Sequence, residues 1–174
     1  MRIMSRSMTT AAVMYAFASS SAHAQQAAHP NFSGTWVLDS SKSSNSSAMQ
    51  DNIPQFSSAT WIVAQHGDTL VVDRDMTAAG TDMKSHIVVA ADGNAWKNTV
   101  AMAANGDVET STVVSWDKDV LVIRSSGNVM GLDFVQTDRW TLDPAGKVLV
   151  SHRSVTVADQ GEVQSSILTF TKKD

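Results

Sequence analysis

The chain is 174 residues long, 43% hydrophobic, 17% charged and 6% aromatic, with a formal net charge of −4 and no cysteine. That length suits one domain, since single cores close within roughly 100–200 residues. The missing cysteine excludes a disulfide scaffold, thiolate catalysis, Cys-ligated zinc or iron–sulfur sites and a lipid anchor on a terminal cysteine. The acidic balance speaks against nucleic-acid binding, which needs a clustered basic face.

Residues 1–24 read as an export signal. Arg2 and Arg6 give a positive start, Met8 to Phe17 is small and apolar, and Ala22-His23-Ala24 supplies the small-x-small pattern of a signal peptidase site. The apolar run is far shorter than the ~20 residues of a membrane span, so the expectation is an exported protein, periplasmic or secreted, with no membrane span. The alternative is an unprocessed N-terminal anchor. Cleavage after Ala24 removes two of 13 basic residues and no acid, leaving 11 against 17 and a net charge of −6. It also removes Tyr15, the sole tyrosine. Residues 25–30 form a flexible leader, and 31–174 the folded domain.

From there the chain is strand-like. Gly67, Gly80, Gly93 and Gly106 recur every 13 residues, and Asp117-Lys118-Asp119 falls where the next would be. Each lies among residue types that tolerate the positive φ angles of tight hairpins. Later turns are read at Gly127-Asn128, Asp143 to Gly146 and Asp159 to Gly161. Leu70-Val71, Leu121-Val122 and Leu149-Val150 each follow a turn, where β-branched residues fit a pleated surface. The strands so delimited are 33–39, 59–65, 69–76, 81–90, 95–103, 107–116, 119–125, 130–142, 147–157 and 162–172, and no helical apolar stripe competes with them. The fold class is all-β. Ten hairpin-linked strands left open expose two long edges, so the expected architecture is an up-and-down antiparallel β-barrel of about 8–10 strands, with a two-sheet sandwich as the alternative. One long loop, 40–58, is read as a lid or flap.

The segment Asn31-Phe32-Ser33-Gly34-Thr35-Trp36 resembles the first strand of the lipocalin and fatty-acid-binding-protein (calycin) superfamily, and is most similar to exported bacterial lipocalin-like proteins. The resemblance implies a barrel whose tryptophan closes one end against an arginine from a late strand, Arg139 or Arg153. The fatty-acid-binding branch holds a ligand carboxylate with Arg-x-Tyr. The nearest counterpart, Arg153-Ser154-Val155, departs at its third residue.

A closed barrel offers its interior as a ligand site. Trp61, Trp96 and Trp116 are the candidate apolar walls, with Met83 on a face shared with Ser85, Ile87 and Val89; the plainer reading is that the tryptophans fill the core. Arg74 and Arg153 stand four residues beyond Leu70 and Leu149, hence on their strand faces, and reach an anionic head group if those leucines point inward. Otherwise they are solvent-facing charges. Arg124 lies opposite Leu121.

No ligand-spaced histidine pair, calcium loop, nucleophile elbow, phosphate loop or dinucleotide fingerprint occurs, so no metal, cofactor or catalytic residue is assigned. Asp73, Glu109 and Asp133 remain as unsingled carboxylate bases. The leading reading is a lipocalin-like carrier of a small, largely hydrophobic or amphipathic ligand. The alternatives are a cavity enzyme (isomerase, cyclase or hydrolase-like) on a similar molecule, and an envelope protein-interaction module with a filled barrel. Ligand identity and oligomeric state are not encoded legibly.

Overall fold

A computed structural model describes residues 29–47, 56–78, 80–102 and 106–174. The expected export segment and most of the leader lie outside them. Among the described residues there are eleven antiparallel strands: β1 (Gly34–Leu38), β2 (Ser44–Ser47), β3 (Phe56–His66), β4 (Thr69–Ala78), β5 (Thr81–Ala90), β6 (Ala95–Met102), β7 (Gly106–Asp117), β8 (Val120–Val129), β9 (Leu132–Leu142), β10 (Val148–Val157) and β11 (Gly161–Lys173). No α-helix occurs among the described residues.

The ladder runs β5-β4-β3-β1-β11-β10-β9-β8-β7-β6, so the chain's first and last barrel strands pair with each other. Its two ends, β5 and β6, are sequence neighbours and lie side by side. Among the described residues they share no ladder. Instead the Val88 N–H donates to Asn98 Oδ1 across the seam at 3.2 Å. The result is a nearly closed up-and-down barrel rather than a sandwich.

The evenly spaced glycines are hairpin tips where they are described: Gly67, Gly80 and Gly93 have φ of 60°, 76° and 75°, values an L side chain rarely adopts. Gly106 opens β7, and the tip before it lies outside the described residues. One turn is displaced from its expected place. β8 continues through Gly127-Asn128 to Val129, and the reversal falls on Met130-Gly131, at φ 52° and 84°. Gly127 serves another purpose: a Cβ there would lie 2.9 Å from the Glu109 carbonyl oxygen and 2.9 Å from the Phe134 ring, so only glycine lets those neighbours approach. Asn128 supports the true turn, accepting from the Gly131 N–H at 2.9 Å and donating to Asp133 Oδ1 at 2.8 Å.

The long loop is also shorter than expected. After β1 the chain makes a brief 3-10 turn at Ser40–Lys42 and returns to the same neighbour, so that β1 pairs with β11 as far as Leu38↔Phe170 and β2 resumes at Ser44↔Ile167. Ser43 Oγ accepts from the Thr169 N–H at 3.0 Å and binds the excursion down. Residues 48–55 of the expected flap lie outside the described residues.

Alternation sorts the faces. Leu70, Leu121 and Leu149 are all fully buried, which sets the inward parity of β4, β8 and β10. Outward positions carry ion pairs, including Asp75 with Lys84 (3.1 Å) and Asp117 with Arg139 (2.7 Å), and a hydrogen bond between Asp73 and His86 (2.6 Å). Apolar inside and charged outside is the reverse of a lipid-facing barrel, and no helix of the described residues is long and apolar enough to cross a membrane.

One end is sealed by aromatics. Phe32, Trp36, Trp61, Trp140 and Phe170 are fully buried, with ring centroids 4.1 Å apart for Trp61–Phe170, 5.1 Å for Trp61–Trp140 and 5.8 Å for Phe32–Trp140. Such rings bury 150–250 Å² each, enough to dominate a small core. The Trp36 indole donates to the Phe32 carbonyl at 2.8 Å, and the cation over its ring is Lys172 Nζ, 5.2 Å from the centroid. The late-strand arginine expected there is absent from that position. Arg139 points outward to Asp117, because on β9 it has the parity opposite to buried Trp140, and Arg153 is engaged elsewhere in the interior.

Candidate functional site

Above the aromatic floor the inward positions turn polar. On β4 the order from the floor is Leu70, Val72, Arg74, Met76 and Ala78; on β9 it is Trp140, Asp138, Gln136 and Phe134; on β10 it is Leu149, Ser151 and Arg153. Strand register then assembles two rows. Trp61, Arg74 and Ser85 are partners across β3, β4 and β5, while Asp138, Arg153 and Ser166 are partners across β9, β10 and β11.

Asp138 is 1% exposed and accepts three hydrogen bonds. Its Oδ1 accepts from Arg153 Nε at 2.7 Å and from Ser151 Oγ at 3.3 Å, and its Oδ2 accepts from Gln136 Nε2 at 2.7 Å. Burial pushes its carboxyl up, but the charges of Arg153 and Arg74 and the hydrogen bonds from Arg153 and Gln136 outweigh that and hold it below the usual carboxylate range. It is the one buried carboxylate among the described residues, and it is ionised.

Arg74 is different. It is 7% exposed, and among the described residues its guanidinium has no hydrogen-bond or ion-pair partner. Its Cζ lies 4.7 Å from the Trp61 ring centroid and 5.8 Å from that of Trp140, so two aromatic faces stand in for water. Burial lowers its pKa to about 10; Asp138 opposes that fall and the like charge of Arg153 adds to it. At neutral pH Arg74 therefore remains a cation. Around it are other buried donors without partners: Arg153 Nη2, Ser85 Oγ, Ser166 Oγ and the Nε1 atoms of Trp61 and Trp140. Each orphaned donor costs free energy, of order 1–3 kcal/mol, unless something accepts from it.

A small pocket of about 50 Å³ adjoins this band where β1 leaves the wall, lined by Leu38, Phe56, Gln164, Ser166 and Leu168. Ser166, the register partner of Arg153, is thus shared between pocket and band.

Of the residues singled out from sequence, Trp61, Arg74 and Arg153 come together here. The leucines do point inward, so the solvent-facing alternative for the two arginines is overturned, while Arg124 is exposed. Met83 is half-buried on the inner face beside Met76, its β4 partner. Trp96 sits at the start of β6 with its indole donating to Asp92 Oδ1 at 3.4 Å, in the turn before it. Trp116 is half-buried at the floor, stacked under His29 with ring centroids 4.2 Å apart, and so belongs to the closed end. Asp73 and Glu109 are exposed on strands, and Asp133 is bonded to Asn128 at a turn; none reaches the interior. Sequence reasoning missed Asp138, Gln136 and Trp140. The usable signal was the period-two run Phe134, Gln136, Asp138, Trp140, which puts a carboxylate next to a core tryptophan on one face.

Among solved structures the chain is similar in fold to Rv2717c from M. tuberculosis, with a TM-score of 0.52 and 9% identity over 82% of this chain and 93% of that one. Human cRBP IV aligns over 83% of this chain and 99% of that one, at 15% identity and a TM-score of 0.48. No family model matches the chain, and no curated protein matches its sequence. The likeness to Rv2717c is therefore one of fold: an antiparallel barrel.

Proposed function

We propose that the protein is an exported, calycin-like container that binds a small amphipathic molecule by an anionic oxygen head and does not convert it. The observation that carries the reading is buried Arg74, whose Nε has no hydrogen-bond partner, among other orphaned donors, because a buried cation that makes no direct ion pair gains most when an acceptor arrives. Met76, Met83 and Phe134, inward of the band on the side away from the floor, suit an apolar body. Binding is favoured over conversion because the Asp138 carboxylate already accepts from three donors and its basicity is lowered, which makes it a weak general base, and Asp73, Glu109 and Asp133 lie outside the interior. The solid aromatic floor favours a filled barrel at that end, but it does not account for donors left without acceptors above it.

Native mass spectrometry of the full chain, purified gently from an exporting host, tests this. The expected spectrum contains a species heavier by one small acid, and tryptophan emission changes on adding fatty acids, retinoids or haem. A bare mass together with a flat response to all three overturns the reading. N-terminal sequencing of the exported protein should begin at Gln25.

A further inference from the structure

We propose that Asp138 sets the charge of the head group this barrel accepts: it is an internal counter-ion that makes the interior a site for a monoanion, held at Arg74. The inference rests on the binding reading above and specifies its ligand class. Among the described residues the buried charged side chains are Arg74, Arg153 and Asp138, so the interior carries a net charge of +1. The cost of burying an unbalanced charge rises with the square of that charge. A ligand of charge −1 brings the sum to zero, whereas a neutral head leaves +1 and a dianion leaves −1.

Geometry assigns the anion's position to one arginine. Asp138 already takes Arg153 through a 2.7 Å bond from Nε and accepts from Gln136 and Ser151 as well, whereas it makes no hydrogen bond or ion pair with Arg74 among the described residues. Arg74 has only the faces of Trp61 and Trp140. The free valence of the band is therefore one guanidinium, with Ser85 beside it in register and Arg153 Nη2 and Ser166 Oγ facing the same interior as further donors. A carboxylate and a sulfate monoester share this chemistry. A phosphate monoester does not: above its second pKa of about 6 it carries two charges.

The test uses four probes with one tail: dodecanol, dodecanoate, dodecyl sulfate below its denaturing range, and dodecyl phosphate, at about pH 8 where the phosphate is a dianion. Affinities are read from tryptophan emission and native mass spectrometry. The full-length wild type should bind both monoanions at least about tenfold more tightly than the alcohol or the phosphate. Asp138→Asn raises the interior to +2 and should move preference to the phosphate. Arg74→Gln lowers it to zero and should move preference to the alcohol. Asp138→Asn with Arg153→Gln restores +1 and should restore preference for the monoanions. If Asp138→Asn does not fold, the other two variants still decide. A merely structural Asp138 weakens all four probes alike. Equal binding of all heads, or preferences that ignore the substitutions, overturns the inference and leaves the container standing. No binding of any probe to the wild type overturns both.

Discussion

Replacing Arg74 by methionine separates a residue kept for a ligand from one kept for the fold. Burial holds the Arg74 guanidinium at about 10, well below its ordinary value, so the folded state disfavours its charged form by about 3 kcal/mol at neutral pH. The sign follows from proton counts. Between about 10 and the ordinary guanidinium range the unfolded chain holds a proton that the native one has released, so this group's penalty fades as pH rises through that window and is complete below it. Methionine removes the penalty and fills the volume, at the loss of the stacking on Trp61, worth about 1 kcal/mol. The ligand-free variant should therefore be more stable by about 2 kcal/mol, or about 4–8 °C in Tm for a domain of this size, while its affinity for dodecanoate falls at least about tenfold. Urea unfolding of delipidated protein, with the m-value checked, measures the first quantity and emission titration the second. A ligand-free variant that loses 1 kcal/mol or more at unchanged m, or that binds dodecanoate as the wild type does, refutes the reasoning.

Asp138→Ala leaves Arg153 and Arg74 buried together without a counter-ion, and should cost about 3–5 kcal/mol in urea; a loss below 1 kcal/mol would show the pair to be solvated. Because the Asp138 carboxyl is held low in the fold, its contribution is complete above the ordinary carboxylate range and disappears as pH falls through its lowered value, so acid unfolding of the wild type should be steeper than that of the Asp138→Asn/Arg153→Gln variant. Gly127→Ala forces a methyl against the Glu109 carbonyl and the Phe134 ring and should destabilise by about 1–3 kcal/mol. Met130→Asn, at a turn position with φ 52°, should stabilise by about 1 kcal/mol; if instead Gly127→Ala is neutral and Met130→Asn destabilises, the reversal lies where the glycine-asparagine pair first suggested. Trp140→Ala should cost about 3–5 kcal/mol, since the ring is fully buried between Phe32 and Trp61.

The barrel was legible because hairpin tips and strand parity are local properties. Glycines at a fixed interval mark reversals and period-two alternation sorts each strand into two faces, but which face is inward comes only from the burial of Leu70, Leu121 and Leu149 in the fold. The same logic placed Arg74 and Arg153 on the faces of Leu70 and Leu149. It failed where one residue type serves two ends: Gly127-Asn128 carries every mark of a turn, yet the glycine is there for its neighbour Phe134, and the turn falls on a methionine. The return of the chain at Ser44–Ser47 to β11 was illegible because a serine-rich segment has no apolar alternation to follow. Within the site, each arginine was legible singly, but the partner of Arg153 was not. Asp138 lies 15 residues away across a hairpin, and nothing in the Asp138-Arg139 pair marks which of its two charges faces inward. Only register shows that Asp138 meets Arg153 while Arg74 is left to the indoles.

The most direct measurement is the ¹⁵N–¹H spectrum of the arginine side chains during titration with dodecanoate. The account predicts that the Nε–H signal of Arg74 moves and becomes protected from exchange as one equivalent binds, while that of Arg153, already bonded to Asp138, changes little. An unmoved Arg74 signal under saturating ligand, or shifts confined to Arg124 and Arg139 on the outer wall, would contradict it.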